Sequence, residues 1–169
     1  MNKYSRYYTT KQRRSYDCGI TCVLNILRYY SVRISRTDLH GILSDKTVRK
    51  EGASVYDLIQ IFEEYGIGAQ GIRCDMDYLV EHAQQVFPSI LLVEIIPQKF
   101  HYVVVYGIDE ENIIIADPSI WMPRIRYIPI DKFVKMYGWN GIIIQTKYTF
   151  ENTECPRGLV KSTLSLFNR

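Results

Sequence analysis

The hydrophobic pattern of this chain changes its period at Pro88, and that change limits the folds available to it. Before Pro88, apolar residues recur with helical spacing in four amphipathic segments, at about residues 19–30, 35–43, 54–65 and 77–86. After it, runs rich in β-branched and aromatic residues indicate strands at 90–96, 101–108, 113–116, 124–130 and 141–145, with one more helix at 131–137. We therefore predict an α+β domain, in which an N-terminal helical half packs against a C-terminal antiparallel β-sheet.

The composition is typical of a folded globular protein. Hydrophobic residues make up 47% of the 169 residues and charged residues 23%, with a net charge of +3. This charge is too small to indicate a nucleic-acid partner. The hydrophobic period fades after about residue 150, and Pro156 and Gly158 are typical of a linker. We predict one domain over residues 1–150 and a linker or tail over residues 151–169.

Membrane spans and disulfides are not indicated. No segment approaches the ~20 apolar residues of a membrane-spanning helix, and the polar N-terminus contains no apolar signal core. The four cysteines, at positions 18, 22, 74 and 155, have neither framework-like spacing nor a Cys-x-x-Cys pair. In a chain without a secretion signal this pattern indicates reduced thiols. We expect a soluble, non-secreted domain.

Cys18 stands directly before a glycine at the predicted start of the first helix. The unpaired N–H groups and the positive end of a helix favour a thiolate over a thiol. A thiolate is the nucleophile of a cysteine hydrolase. Gln12, six residues upstream, carries a side-chain amide that can supply one donor of an oxyanion hole. The segment therefore predicts a hydrolase nucleophile and a group that stabilises its intermediate.

A cysteine hydrolase also needs a base, and the chain offers three histidines. His40 and His82 lie in predicted amphipathic helices, which favours surface roles, whereas His101 begins a strand at the rim of the sheet. Asp117 ends the next strand, and an acidic residue after four apolar ones is costly unless it is solvated or paired. Pairing would orient the His101 ring. The alternatives are a histidine exposed to water and a turn aspartate before a proline.

The spacing of His101 and Asp117 sets a geometric condition. A tight turn at residues 110–111 would place the two side chains on opposite faces of the hairpin. Both reach one face only if the loop is wider, beginning at Gly107, or if a strand contains a bulge. We therefore expect one of these irregularities if the two residues act together.

Three other residues near these positions have simpler interpretations. Asp17 is expected to cap the first helix. Cys22, one helical turn after Cys18, is expected to be a small core residue. A metal site built from the two cysteines and a histidine lacks a recognisable ligand spacing. Trp139 is expected in the core or as a wall beside the site.

These motifs together resemble a known family. Gln12-x5-Cys18-Gly19, followed by His101–Val105 and by Ala116-Asp117-Pro118, is similar to the peptidase domain of bacteriocin-exporting ABC transporters, over roughly residues 7–146. Members of this family are papain-like cysteine peptidases that cut double-glycine leader peptides. The resemblance implies a papain-like fold, with Cys18 as the nucleophile, His101 as the general base and acid, Asp117 as its orienting partner and Gln12 as an oxyanion donor.

The same resemblance implies a substrate and partners. It implies cleavage of the leader of a bacteriocin, lanthipeptide or signalling-peptide precursor after a Gly-Gly type motif, coupled to export. The expected partners are that leader peptide and the membrane and nucleotide-binding domains of an ABC transporter, on the cytoplasmic side of the bacterial membrane. No cofactor or metal is expected in this chain, because ATP would bind only a separate nucleotide-binding domain.

Because the chain has neither membrane spans nor a phosphate-binding loop, we expect an excised domain or a stand-alone peptidase. Three other functions remain open from the sequence. The domain can be a non-catalytic module that docks the exported substrate. It can be another papain-like amidase or acyl transferase, such as a deamidase or transglutaminase. A redox or metal protein that uses Cys18 and Cys22 is the third.

Overall fold

The computed structural model describes residues 7–42, 52–109, 111–119 and 125–148. Within these ranges the helices are α1 (Cys18–Tyr29), α2 (Arg36–Ile42), α3 (Val55–Glu64), α4 (Met76–Glu81), α5 (Ala83–Val86) and α6 (Ile130–Tyr137). The strands are β1 (Ile67–Arg73), β2 (Ser89–Ile96), β3 (Lys99–Asp109), β4 (Asn112–Ala116), β5 (Ile125–Pro129) and β6 (Trp139–Tyr148). The predicted α+β class is confirmed.

The strands form one sheet with the order β1-β6-β2-β3-β4-β5, and every neighbouring pair is antiparallel. Helices cover both faces, because alternate residues of the central strands are apolar on both sides. Tyr102 and Val104 of β3 pack in the cluster that contains the buried residues of α1 and α3. Val103 and Val105 pack in the second cluster, with Phe133 of α6. The core therefore has two layers, separated by the sheet.

Local signals placed the helix starts correctly. At α3 the Ser54 side chain accepts a hydrogen bond from the Asp57 backbone N–H, and the Asp57 carboxylate accepts from the Ser54 backbone N–H. Ser35 and Asp38 form the same reciprocal pair at α2. Such capping boxes satisfy two N–H groups that the first turn leaves without partners. The predicted contribution of Leu43 to α2 lies outside the described residues.

The sheet contains one strand that the sequence did not predict. β1 lies between α3 and α4 in the chain, so the order of helices first and strands second is wrong in this detail. Its sequence includes Gly68 and Gly71, and of its residues only Ile67 is buried. Such a segment has little strand propensity of its own. It is a strand because its backbone pairs with β6 at the edge of the sheet.

The predicted single helix over residues 77–86 is two short helices. The Asp75 side chain caps α4 by accepting a hydrogen bond from the Tyr78 backbone N–H. α4 ends at Glu81, and the four-residue α5 begins after His82, which caps both helices. The apolar spacing is the same in one helix or two, so periodicity alone does not reveal the break.

Candidate active site

Cys18 is the first residue of α1, and its thiol is free and half-buried. Gly19 allows this end of the helix to approach β3 closely. A Cβ atom at position 19 would lie 3.1 Å from both Leu58 Cδ atoms and 3.2 Å from Tyr102 Cδ2. The absence of that atom lets the first turn of α1 pack against the strand that carries His101.

A bulge in β3 decides the face on which His101 stands. Val105 pairs with Ile115, but the next pair is Gly107 with Ile114, so Tyr106 is an extra residue without a partner in β4. Beyond the bulge Val104 pairs with Ala116, so Asp117, one residue further along, comes opposite Val103. His101 is two residues from Val103 and therefore lies on the same face of the sheet as Asp117. Without the extra residue the two would face opposite sides. The sequence-based condition of a bulge is therefore met.

His101 and Asp117 form a buried pair. His101 Nε2 lies 2.8 Å from Asp117 Oδ1, and each residue is 6% exposed. Burial by itself would raise the pKa of the Asp117 carboxyl, but the hydrogen bond and charge of His101 lower this pKa below its ordinary value. The backbone N–H of Ser119 and the Tyr137 hydroxyl add to this effect. The aspartate is therefore a carboxylate paired with an imidazole.

The His101 ring also makes a side-chain hydrogen bond with Cys18. Because Asp117 occupies Nε2, the nitrogen available to the thiol is Nδ1. Burial lowers the pKa of His101, but the contacts with Asp117 and Cys18 outweigh it and raise the pKa from 6.5 to about 9. The ring is then an imidazolium at neutral pH. The Cys18 side chain therefore lies beside a positively charged ring.

Cys22 lies in the core, where it was expected. It is fully buried, and its Sγ donates to the carbonyl oxygen of Tyr102 at 3.3 Å. Burial raises the pKa of its thiol well above the ordinary value, which disfavours the thiolate that nucleophiles and metal ligands require. Among the described residues no group of three or more His, Cys, Asp or Glu side chains can hold a metal ion.

Gln12 lies beside the turn that begins α1 and is buried. Its backbone N–H donates to the carbonyl oxygen of Pro118 at 2.7 Å, which joins this segment to the residue after Asp117. Its Nε2 lies 2.9 Å from the carbonyl oxygen of Arg14 and 3.4 Å from that of Ser15. The amide has two N–H groups, and only the first contact is a good hydrogen bond. The second N–H of the Gln12 amide therefore makes only a weak contact, with the carbonyl oxygen of Ser15.

The segment that carries Gln12 is anchored through the bulge residue. The Tyr106 hydroxyl donates to the carbonyl oxygen of Tyr8 at 2.6 Å and lies 3.2 Å from the Tyr8 backbone nitrogen. The ring of Tyr7 stacks on that of Tyr106, with centroids 4.8 Å apart. The extra residue in β3 therefore also fixes the chain that leads to Gln12.

Of the remaining candidates, His82 lies apart from this centre. His82 Nδ1 lies 3.0 Å from the carbonyl oxygen of Tyr78, and its ring stacks on that of Tyr78 at the surface. The side chain of His40 lies outside the described part of the chain. Trp139 packs against the cluster that contains Phe133, as a core-margin residue. Asp17 occupies the N-cap position, but the expected side-chain cap is wrong, because its carboxylate accepts from the Arg14 backbone N–H at 3.2 Å.

Two contributors to the site were missed. The Tyr137 hydroxyl donates to Asp117 Oδ2 at 2.9 Å, and the Ser119 backbone N–H donates to Oδ1 at 2.9 Å. In the sequence, Tyr137 is only an apolar position of the last amphipathic helix. The Ser119 contact follows from a turn in which an aspartate accepts from the backbone two residues later, and the Asp-Pro-Ser sequence is a signal for it.

The fold matches that of solved peptidase domains from transporters. The peptidase domain of Streptococcus ComA, a bi-functional ABC transporter, superposes with a TM-score of 0.73 at 22% identity, over 85% of this chain and 99% of that one. A double-glycine-motif protease from an AMS/PCAT transporter, in complex with its leader peptide, gives a TM-score of 0.69 at 23% identity, over 83% and 91% of the two chains.

Residues 6–151 match the model of the Peptidase C39 family, and this chain belongs to that family. A curated relative is SunT of Bacillus subtilis strain 168, described as a sublancin-168-processing and transport ATP-binding protein. It is 33% identical over 121 residues, which are 70% of this chain but only 16% of that relative. In the described ranges, no helix has the length and apolar character needed to cross a membrane.

Proposed function

We propose that this chain is a cysteine endopeptidase that removes the leader from a bacteriocin, lanthipeptide or signalling-peptide precursor, after a Gly-Gly type motif. The observation that carries the proposal is the continuous contact from Cys18 through His101 to Asp117 in a member of the Peptidase C39 family. The described processing role of the SunT relative and the leader-bound protease with the same fold support the substrate class.

The first half of the proposed reaction forms a thioester. The Cys18 thiolate attacks the carbonyl carbon of the bond after the second glycine, and the carbonyl oxygen becomes an oxyanion. The His101 imidazolium then gives its proton to the leaving amine, and the carbon–nitrogen bond breaks. Asp117 stabilises the imidazolium and keeps Nδ1 directed at the sulfur. The released product is the peptide that follows the leader.

The second half hydrolyses the thioester. The now neutral His101 takes a proton from water, and the resulting hydroxide attacks the thioester carbon. The carbon–sulfur bond breaks, and the leader leaves as a carboxylic acid that loses its proton to water. The thiolate–imidazolium pair is then restored. The reaction uses side chains and water alone, so we propose that it requires no cofactor in this chain.

The proposed oxyanion donors are the backbone N–H of Cys18 and Nε2 of Gln12. The first N–H groups of a helix have no partner within the helix, so that of Cys18 is available. Gln12 Nε2 keeps its 2.9 Å bond to the Arg14 carbonyl oxygen and exchanges its weak 3.4 Å contact for the oxyanion. Donors held in place before the reaction lose little free energy in reorganising.

The proposed substrate specificity has two parts. Glycine at the last two leader positions lets the main chain approach Cys18 without a Cβ atom. Two glycines are common in proteins, so we propose a second contact, in which an apolar groove binds the amphipathic helix of the leader. Residues 1–150 are the proposed peptidase domain, and residues 151–169 are the proposed linker to membrane and nucleotide-binding domains of an ABC transporter, on the cytoplasmic side.

A synthetic precursor peptide tests the function. The chain is incubated with a peptide whose amphipathic leader ends in Gly-Gly, and with a matched peptide that ends in Ala-Ala. We expect one cut after the second glycine, located by mass spectrometry, and no cut in the Ala-Ala peptide. Binding without cleavage would instead indicate a docking module. Transfer of the leader to an added primary amine would indicate an acyl transferase.

A further inference from the structure

Both oxygens of the Asp117 carboxylate accept hydrogen bonds. Oδ1 accepts from His101 Nε2 and from the Ser119 backbone N–H, at 2.8 and 2.9 Å. Oδ2 accepts from the hydroxyl of Tyr137, at 2.9 Å. If only Oδ1 accepted hydrogen bonds, the carboxylate could rotate about that oxygen atom. The bond to Oδ2 fixes the plane of the carboxylate, and with it the direction in which Oδ1 faces the imidazole.

The direction of the Tyr137 bond is set by Arg126. Arg126 Nη1 donates to the Tyr137 hydroxyl oxygen at 3.2 Å. A guanidinium has donors and no acceptor, so the hydroxyl oxygen accepts there and its own hydrogen is directed to Asp117. Tyr137 is 5% exposed, and burial followed by the nearby Asp117 charge raises the pKa of the phenol, which keeps it a donor. The chain of donors runs from Arg126 through Tyr137 to Asp117.

The position of Tyr137 is fixed by the end of α6. Its ring packs against that of the fully buried Phe133, with centroids 5.1 Å apart. Gly138 ends the helix in the left-handed conformation at φ 45°, and its carbonyl oxygen accepts from the Glu94 backbone N–H at 3.2 Å. Glu94 follows Val93, the β2 partner of His101. Tyr137 is therefore held to the strand that pairs with the His101 strand.

We propose that Tyr137 is a positioning residue for the peptidase reaction, which holds the Asp117 carboxylate in the orientation that His101 requires. This inference rests on the proposed function. Tyr137 does not contact the thiol or the substrate in this role; it acts through Asp117. Arg126 directs the Tyr137 hydroxyl and is the outer member of the same network.

The substitution Tyr137→Phe removes the hydroxyl and keeps the ring that packs on Phe133. We expect kcat to fall about 10- to 100-fold, as for loss of an outer partner that orients a catalytic group, with KM nearly unchanged. The Asp117 carboxylate also loses a bond that favours its charged form, so its pKa rises. The acid limb of the kcat/KM profile therefore moves to higher pH.

Lys132→Gly is the matched structural control, because it weakens the same helix at an exposed position outside the hydrogen-bond network. We expect it to lower the Tm and to leave the acid limb in place. The folding of Tyr137→Phe is checked by circular dichroism. If this variant does not fold, Arg126→Gln replaces it, and we expect a smaller shift of the acid limb of the kcat/KM profile in the same direction. An unchanged limb and kcat in the folded variant would overturn the proposal.

A substrate-independent measurement separates this proposal from the proposed function. The rate of Cys18 alkylation by iodoacetamide is measured against pH in the wild type and in Tyr137→Phe. We expect the acid end of this profile to move upward in the variant, because the imidazole that supports the thiolate is held less well. Failure of the wild type to cut the leader peptide would reject the peptidase function while leaving this measurement decisive for Tyr137. Identical alkylation profiles would reject the role of Tyr137.

Discussion

The backbone N–H of Gln12 donates to the carbonyl oxygen of Pro118 across 2.7 Å. This bond links the segment before α1 to the end of β4, which carries Asp117. The amide of Gln12 and the carboxylate of Asp117 therefore lie on two chain segments that are bonded to each other. Displacing one segment displaces the other, so the same hydrogen bond helps to position both the proposed oxyanion donor and the proposed partner of His101.

Replacing Cys18 by alanine is expected to abolish leader cleavage and to leave leader binding within a few-fold. The reason is that, among the described cysteines, Cys18 is the one whose thiol contacts the His101 ring. Cys22→Ala is the matched control. It removes a buried sulfur and is expected to lower the free energy of unfolding by about 1 kcal/mol while cleavage persists. Cleavage by Cys18→Ala, measured by mass spectrometry, would contradict Cys18 as the nucleophile.

Gln12→Ala is expected to lower kcat by roughly 10²–10³, as for loss of one oxyanion donor. Arg14→Gln is the control, because the turn holds Gln12 through the carbonyl oxygen of Arg14 and not through its side chain. We expect turnover of the control to stay within a few-fold of the wild type in steady-state assays. Equal turnover in both variants would leave Gln12 a structural residue.

Peptidase activity is expected to fall as the pH rises through about 9. The contacts of His101 raise its pKa from 6.5 to about 9, so the imidazolium persists well above neutral pH. Above that value the ring has no proton for the leaving amine. The folded state loses the stabilisation from protonated His101 over the same range, since this contribution is complete below pH 6.5 and declines through 9.

The measurements are a kcat/KM profile and urea unfolding of the wild type and of His101→Gln. The stability advantage of the wild type over this variant should shrink between pH 6.5 and pH 10. A basic limb near pH 6.5, where an unpaired histidine titrates, would argue against the pairing of His101 with Asp117 and Cys18.

Gly138→Ala is expected to destabilise the fold by about 1–3 kcal/mol, as for a strained left-handed residue. Its φ is 45°, and a Cβ there would lie 2.6 Å from the carbonyl oxygen of Glu94. Gly41→Ala is the control, because no atom lies within 4 Å of the Cβ it would add in α2. That change should be neutral or stabilise by up to ~1 kcal/mol. Thermal unfolding of both variants distinguishes them.

Chelation is expected to leave leader cleavage unchanged, because the proposed steps use thiolate, imidazole and water alone. Wild-type protein is dialysed against EDTA and assayed with the Gly-Gly peptide, and elemental analysis checks the metal content. Loss of cleavage on dialysis, with recovery on adding back a metal, would favour a metal-dependent reaction.

The sequence predicts what depends on near neighbours. The apolar stripes of the helices and the strand runs after Pro88 are short-range signals, and the structure agrees with them. β1 and the break at His82 were not predicted, because strand pairing across the chain and the ending of a helix are decided by tertiary contacts.

The candidate site was likewise predicted only in part from the sequence. Its residue types and their order along the chain pointed to Cys18, His101 and Asp117, which the structure brings together. The network beyond Asp117 was invisible, since Tyr137 looks like any apolar position of α6. The sequence showed only that His101 and Asp117 need a bulge or a wider loop to face each other. It did not predict the bulge at Tyr106, because no residue pattern within β3 distinguishes a regular strand from a bulged one.

The unpaired Tyr106 has a consequence for how this hairpin can diverge between relatives. Inserting or deleting one residue in β3 between positions 101 and 106 turns the imidazole away from the carboxylate, whereas a change of two restores the facing. The length of this strand is thus constrained by parity, because an odd change in the number of residues separates the pair and an even change keeps it together.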